Sequence, residues 1–195
     1  MKLNSTRLLA VVFVVVGLGT GAHLAGVSDG RPVAAASLAW SSEAFEAYVF
    51  QPGLGQVARG WTPWFVNANP ANPGAREWTI VPGESGWGQE LRKSNVRIGL
   101  HRVNSGFVPG ETYRITLRAR WLSGSGAPPR CSLGIHPEGG TQPDEVQWSA
   151  GVEVARDSWT EISAPFSPPG SSATIFVELD YSGVHDYGVA LDNLA

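Results

Sequence analysis

Seventeen acids, four histidines and one cysteine are the groups in this 195-residue chain able to hold a metal, move a proton or attack a bond. Cys131 stands alone, so the chain forms no internal disulfide, and no C-x-x-C or His/Cys cluster offers zinc its usual ligands. Gly83-Glu84-Ser85-Gly86-Trp87 comes close to a nucleophile elbow, but that motif needs glycine two after the serine and Trp87 is there. His136-Pro137-Glu138 has the first half of a zinc-deaminase pattern, with no P-C-x-x-C after it. Paired carboxylates for glycoside cleavage meet in space rather than along the chain, and no acid here is flanked by a recognisable signature. These residues point away from catalysis, with glycoside hydrolysis the least unfavoured version of it.

Binding is the better use of what is present. There are eight tryptophans. An indole ring can lie against the apolar C–H face of a sugar while short polar side chains take its hydroxyls. The stretch Leu133–Trp148, LGIHPEGGTQPDEVQW, offers both kinds of group. His136-Pro137 interrupts an apolar run, because proline has no N–H for a sheet ladder. Gly139-Gly140 and Pro143-Asp144 then build a loop, and Val146-Gln147-Trp148 resumes an extended pattern. Loops on β-scaffolds carry binding residues disproportionately. Trp64, Trp87, His136, Glu138, Gln147 and Trp148 are therefore the candidate ligand-binding residues. Trp61, Trp121 and Trp159 read as core, the last two in phase with apolar strand faces, and His101 and His185 as surface or strand-edge residues.

The scaffold that must position these groups is all strand and turn. Twenty-four glycines and fourteen prolines accompany only 16% charged residues. The clearest strand is Thr112–Trp121, where Tyr113, Ile115, Leu117, Ala119 and Trp121 alternate with Thr112, Arg114, Thr116, Arg118 and Arg120. That is a period of two with one wet face. Further strands are expected at Ala44–Phe50, Trp61–Val66, Glu77–Val81, Gly88–Leu91, Val96–Val103, Trp159–Phe166, Ala173–Tyr181 and Val189–Leu194. Gln51–Gly60 and Asn67–Gly74 read as loops, and Pro63 assigns Trp61–Val66 to an edge. The spacing predicts one antiparallel β-sandwich domain over residues 37–195. A net charge of −3, with no basic patch interleaved with aromatics, excludes nucleic acid as the expected partner.

Residues 1–36 are expected to serve export. Lys2 and Arg7 precede the apolar run Leu8–Leu18, and Ala34-Ala35-Ala36 supplies a small-residue cleavage site. The alternative is an uncleaved membrane anchor over residues 8–27, against which stand His23 and five glycines between Gly17 and Gly30.

Several motifs occur in a telling order. Ala44-Phe45-Glu46 is followed by Gly60-Trp61-Thr62-Pro63-Trp64 and Pro109-Gly110-Glu111-Thr112-Tyr113-Arg114. Gly134-Ile135-His136-Pro137-Glu138-Gly139-Gly140-Thr141, Val146-Gln147-Trp148 and Ala190-Leu191-Asp192-Asn193-Leu194 complete it. This order resembles the galactose-binding-like jelly rolls of secreted bacterial carbohydrate-binding modules, over roughly Ala44 to Ala195. His136 stands where one subgroup has aspartate, and Ser42-Glu43-Ala44 replaces the usual Asn-Gly-Gly. The resemblance implies a jelly roll, an extracytoplasmic location, a carbohydrate ligand and no catalysis. It further implies that Glu46 and Asp192 hold a structural Ca²⁺ where the first and last strands meet. A cell-surface protein-interaction or spacer domain without glycan binding is the alternative.

Overall fold

Seven strands form one sheet and six the other in the computed structural model, which describes residues 45–67, 74–180 and 186–195. The larger sheet takes the order β1 (Tyr48–Gln51), β2 (Gly55–Ala58), β4 (Arg76–Pro82), β5 (Trp87–Lys93), β13 (Tyr187–Asp192), β7 (Tyr113–Gly124) and β11 (Thr160–Phe166). The smaller runs β10 (Val152–Glu153), β8 (Arg130–His136), β12 (Ser172–Leu179), β6 (Val96–Ser105) and β3 (Thr62–Asn67), with the two-residue β9 (Gln147–Trp148) also on β8. Every pairing is antiparallel except a single parallel contact, Gly55 to Trp78. Among the described residues there is no α-helix, only a turn of 3-10 helix at Pro143–Glu145. The sandwich expected from the alternation is the fold found, and Pro63 does lie in an edge strand, β3, which pairs with β6 alone.

The core lies between the sheets and is built by the period-two faces. From β7 come Tyr113, Ile115, Leu117, Ala119 and Trp121, as the alternation requires. From the smaller sheet come Val96, Ile98 and Leu100 of β6, and Ala173, Ile175, Val177 and Leu179 of β12. Trp61 and Trp78 are sealed among them. The free thiol of Cys131 is fully buried, and that burial drives its pKa far up, so it is inert.

Three expectations need correction. Gln51–Gly60 is not all loop: Gly55–Ala58 forms β2, too short a strand for its alternation to register. Trp159 is not core, because it is only half-buried and carries the Arg120 guanidinium 4.8 Å from its ring centroid. His101 is a buried mid-sheet residue rather than a surface one. The export segment 1–36, the anchor alternative 8–27, Tyr181, His185 and most of the Asn67–Gly74 turn lie outside the described residues.

Candidate functional site

The face of the smaller sheet turned away from the core is covered with rings rather than charges. Strand register explains why. Thr62, His101, Phe176, Gly134 and Trp148 stand opposite one another in a row crossing β3, β6, β12, β8 and β9. The next row holds Trp64, Gly99, Glu178 and Ser132. Two glycines in these rows let the two indoles lie down. A Cβ on Gly99 would come within 2.6 Å of Trp64 Nε1, and one on Gly134 within 2.6 Å of Trp148 Cε3. Trp64 and Trp148 consequently meet at 5.9 Å between centroids, each about 6 Å from Phe176, whose other neighbour is His101 at 5.0 Å. Phe176 is wholly buried yet takes no part in the inter-sheet core.

An ion pair is set into this aromatic surface. Arg97 donates two hydrogen bonds to Glu178, Nε to Oε1 and Nη2 to Oε2, both 2.8 Å. Such a two-pronged pair fixes the guanidinium plane. The hydrogen bond to Glu178 raises the arginine's pKa still further. Its Cζ sits 5.7 Å from the Trp64 ring and 6.0 Å from Trp148. Burial pushes the His101 pKa below its ordinary value, so the ring is neutral at pH 7. Trp64 Nε1, His101 Nδ1 and Thr174 Oγ1 are buried without a hydrogen-bond partner among the described residues. An unsatisfied buried polar group costs about 1–3 kcal/mol, and these three lie on strands of the same sheet as the rings.

The residues expected from sequence divide between this face and other places. Trp64 and Trp148 lie on it, Trp64 buried and Trp148 half-exposed. His136 stands beside it, opposite Thr174, but its ring nitrogens are used by its own loop. Nδ1 accepts the amides of Gly140 at 3.1 Å and Glu138 at 3.4 Å, and Nε2 lies 3.0 Å from Glu145 Oε2. With Nδ1 accepting, Nε2 carries the proton and donates to the carboxylate. His136 thus shapes the loop that ends at Trp148. Glu138 is exposed to solvent. Gln147 turns to the sandwich edge, where it lines a groove of about 420 Å³ with Trp148, Ser149, Ser163 and Phe166. Trp87 belongs elsewhere, on the larger sheet. Sequence reading missed Arg97, His101, Thr174, Phe176 and Glu178, and the glycines that face the indoles were the available signal.

Glu46 and Asp192 do approach one feature, the β4–β5 turn. Asp192 is buried and accepts the amides of Glu84 at 2.7 Å and Ser85 at 3.0 Å on Oδ2, and that of Asn193 at 2.8 Å on Oδ1. Glu46 Oε1 accepts the amide of Trp87 at 3.2 Å. Calcium needs six to eight oxygens, and these carboxylates are met by N–H groups instead. Among the described residues no three His, Cys, Asp or Glu side chains gather as a metal cluster. In this arrangement both acids accept hydrogen bonds from the turn, Asp192 through both oxygens and Glu46 through Oε1. Ser85 of the near-elbow sits in that same turn, its Oγ donating to Asn193 Oδ1 at 3.2 Å.

Residues 41–183 match the family described as carbohydrate binding domain, and the chain belongs to that family. It is a carbohydrate-binding domain of β-sandwich fold, as the motif order implied. Similar solved structures include the CBM22-1 xylan-binding domain of Paenibacillus barcinonensis Xyn10C, 16% identical, with 79% of this chain and 93% of that one covered and a TM-score of 0.47. The C-terminal family 22 carbohydrate-binding module of Clostridium thermocellum Xyn10B is 14% identical, with 76% and 90% covered and a TM-score of 0.48. The family 11 module of the cellulosomal cellulase Lic26A-Cel5E of the same organism is 14% identical, with 69% and 85% covered and a TM-score of 0.46. No curated protein matches.

Proposed function

We propose that this domain holds a glycan against the outer face of the smaller sheet and breaks no bond in it. One observation carries the reading: three buried polar atoms without partners, on Trp64, His101 and Thr174, share a face with the Trp64–Phe176–Trp148 surface. That pairing of apolar ring and unsatisfied donor or acceptor matches the two surfaces of a sugar. Trp148, the half-exposed ring, is the stacking platform, and the Arg97–Glu178 pair, planar and fixed, supplies hydroxyl partners beside it. Gln147 extends the contact round the sheet edge. The Lys2/Arg7 flank, the Leu8–Leu18 run and the alanines at 34–36 support a place outside the cytoplasm, with the mature chain starting near Ser37.

Calorimetric titration of the protein and of Trp148→Ala against a panel of plant and bacterial polysaccharides tests the reading. Removing an aromatic hot spot costs about 2 kcal/mol or more, so the variant should bind about thirtyfold more weakly; it also uncovers Phe176, so the variant melts lower but still in one cooperative step. Unchanged affinity in a folded variant would remove Trp148 from the site. A wild type that binds nothing in the panel would put the interaction-domain reading in its place.

A further inference from the structure

A second pocket opens on the other sheet, away from the aromatic face. Glu46, Tyr48, Gln56, Ile80 and Trp87 line a cavity of about 270 Å³ between the β1–β2 hairpin and the β4–β5 turn. Two of its walls are aromatic and exposed, Trp87 by 50% and Tyr48 by 48%. Exposed large rings are ordinary one at a time, but two flanking one depression beside polar groups mark a binding site. The polar groups are held in place. The Trp87 amide fixes Glu46 through Oε1, and Oε2 has no partner among the described residues. Gln56 Oε1 accepts the amide of Ile80 at 3.4 Å, which leaves its NH₂ as a donor. The pocket therefore offers ring faces, one carboxylate acceptor and one amide donor within a small volume.

We infer that this pocket is a second saccharide site, taking one neutral sugar residue at a chain end or branch. The inference rests on the carbohydrate-binding reading but not on the face proposed for it. The two rings flank a single open depression of about 270 Å³, so the contact made there is with one sugar ring. Glu46 bonds a pair of hydroxyls well and repels a carboxylate, so uronic acids are disfavoured. Because Trp148 and Trp87 stand on different sheets, one molecule could hold two points on a glycan surface, and avidity would follow without any new contact.

NMR titration of the full chain with neutral β-linked gluco-, xylo-, manno- and galacto-oligosaccharides tests this, with galacturonate oligomers as the acidic comparison. The indole N–H signals of Trp87 and Trp148 are assigned from Trp87→Ala and Trp148→Ala. The Trp87 signal should move with at least one neutral sugar, and should still move in Trp148→Ala. Tyr48→Ala, which alters an exposed side chain and leaves the fold intact, should weaken that response about tenfold or more, and Glu46→Gln should reduce the preference for neutral over acidic sugars. A Trp87 signal that stays fixed with every sugar that moves Trp148 would overturn the second site alone. Movement of Trp87 without Trp148 would support it and overturn the proposed main face. Stillness of both would overturn the two together.

Discussion

The two outer faces of the sandwich obey the same alternation and use it in opposite ways. On the larger sheet, the outward positions carry charge. Arg118 reaches Glu84 at 3.2 Å and Glu161 at 3.6 Å, and Arg92 lies 3.8 Å from Glu77. These are partly exposed pairs on a solvated surface, each contributing little. On the smaller sheet, the outward positions carry Trp64, Trp148, Phe176 and His101, and the Arg97–Glu178 ion pair is packed among rings. The burial of aromatics away from the core is what the proposed glycan face rests on. Away from the pocket between Tyr48 and Trp87, the arginines and glutamates of the larger sheet face water.

The largest effect that could break this contrast is structural. Phe176→Ala should cost about 3–5 kcal/mol, as much as a core truncation, because the residue is wholly buried under two indoles and His101. Denaturant unfolding measures it. A cost under about 1 kcal/mol would mean that the face is a loose surface rather than a packed one.

A smaller effect is set by pH. Burial lowers the His101 pKa in the folded state, so the unfolded chain takes up its proton first as pH falls. The neutral ring's contribution is therefore complete above the unfolded value of about 6.5 and is lost as pH drops from there toward the folded pKa. The melting temperature should fall between pH 7.5 and pH 5, and fall less in His101→Gln. An equal drop in both would place the titrating group elsewhere.

The smallest effect belongs to the charged face. Arg118→Ala should cost about 0.2–1 kcal/mol, less at high salt, and leave glycan affinity unchanged. A loss of glycan binding in that variant would place the main site at Arg118 and not on the aromatic face.

How much of this was legible in the chain depends on whether the signal is local. Tyr113 to Trp121 alternates over nine residues, and β7 follows it nearly residue for residue. Four-residue β2 and two-residue β10 offer too few positions for a period to show. The binding surface was legible only in part, because Trp64 and Trp148 are visible as tryptophans beside turns but their meeting is not. That depends on register: Trp64 opposite Gly99, Trp148 opposite Gly134, and Phe176 opposite both His101 and Gly134. Phe176 sits between Thr174 and Glu178 on its face of β12, a pattern that reads as a wet surface until the neighbouring strands are placed. His136 looked like a ligand group because of its loop, and the hydrogen bonds that occupy it arise only once the loop closes on Gly140 and Glu145.

One measurement separates the two faces directly, since each carries a half-buried tryptophan: Trp148 on the aromatic face and Trp159, under Arg120, on the charged one. Their indole N–H signals, followed by NMR while the intact protein is titrated with a polysaccharide fragment that it binds, report where the sugar lies. The Trp148 signal should shift to saturation while that of Trp159 stays fixed; a shifting Trp159 beside an unmoved Trp148 would contradict a glycan site on the aromatic face.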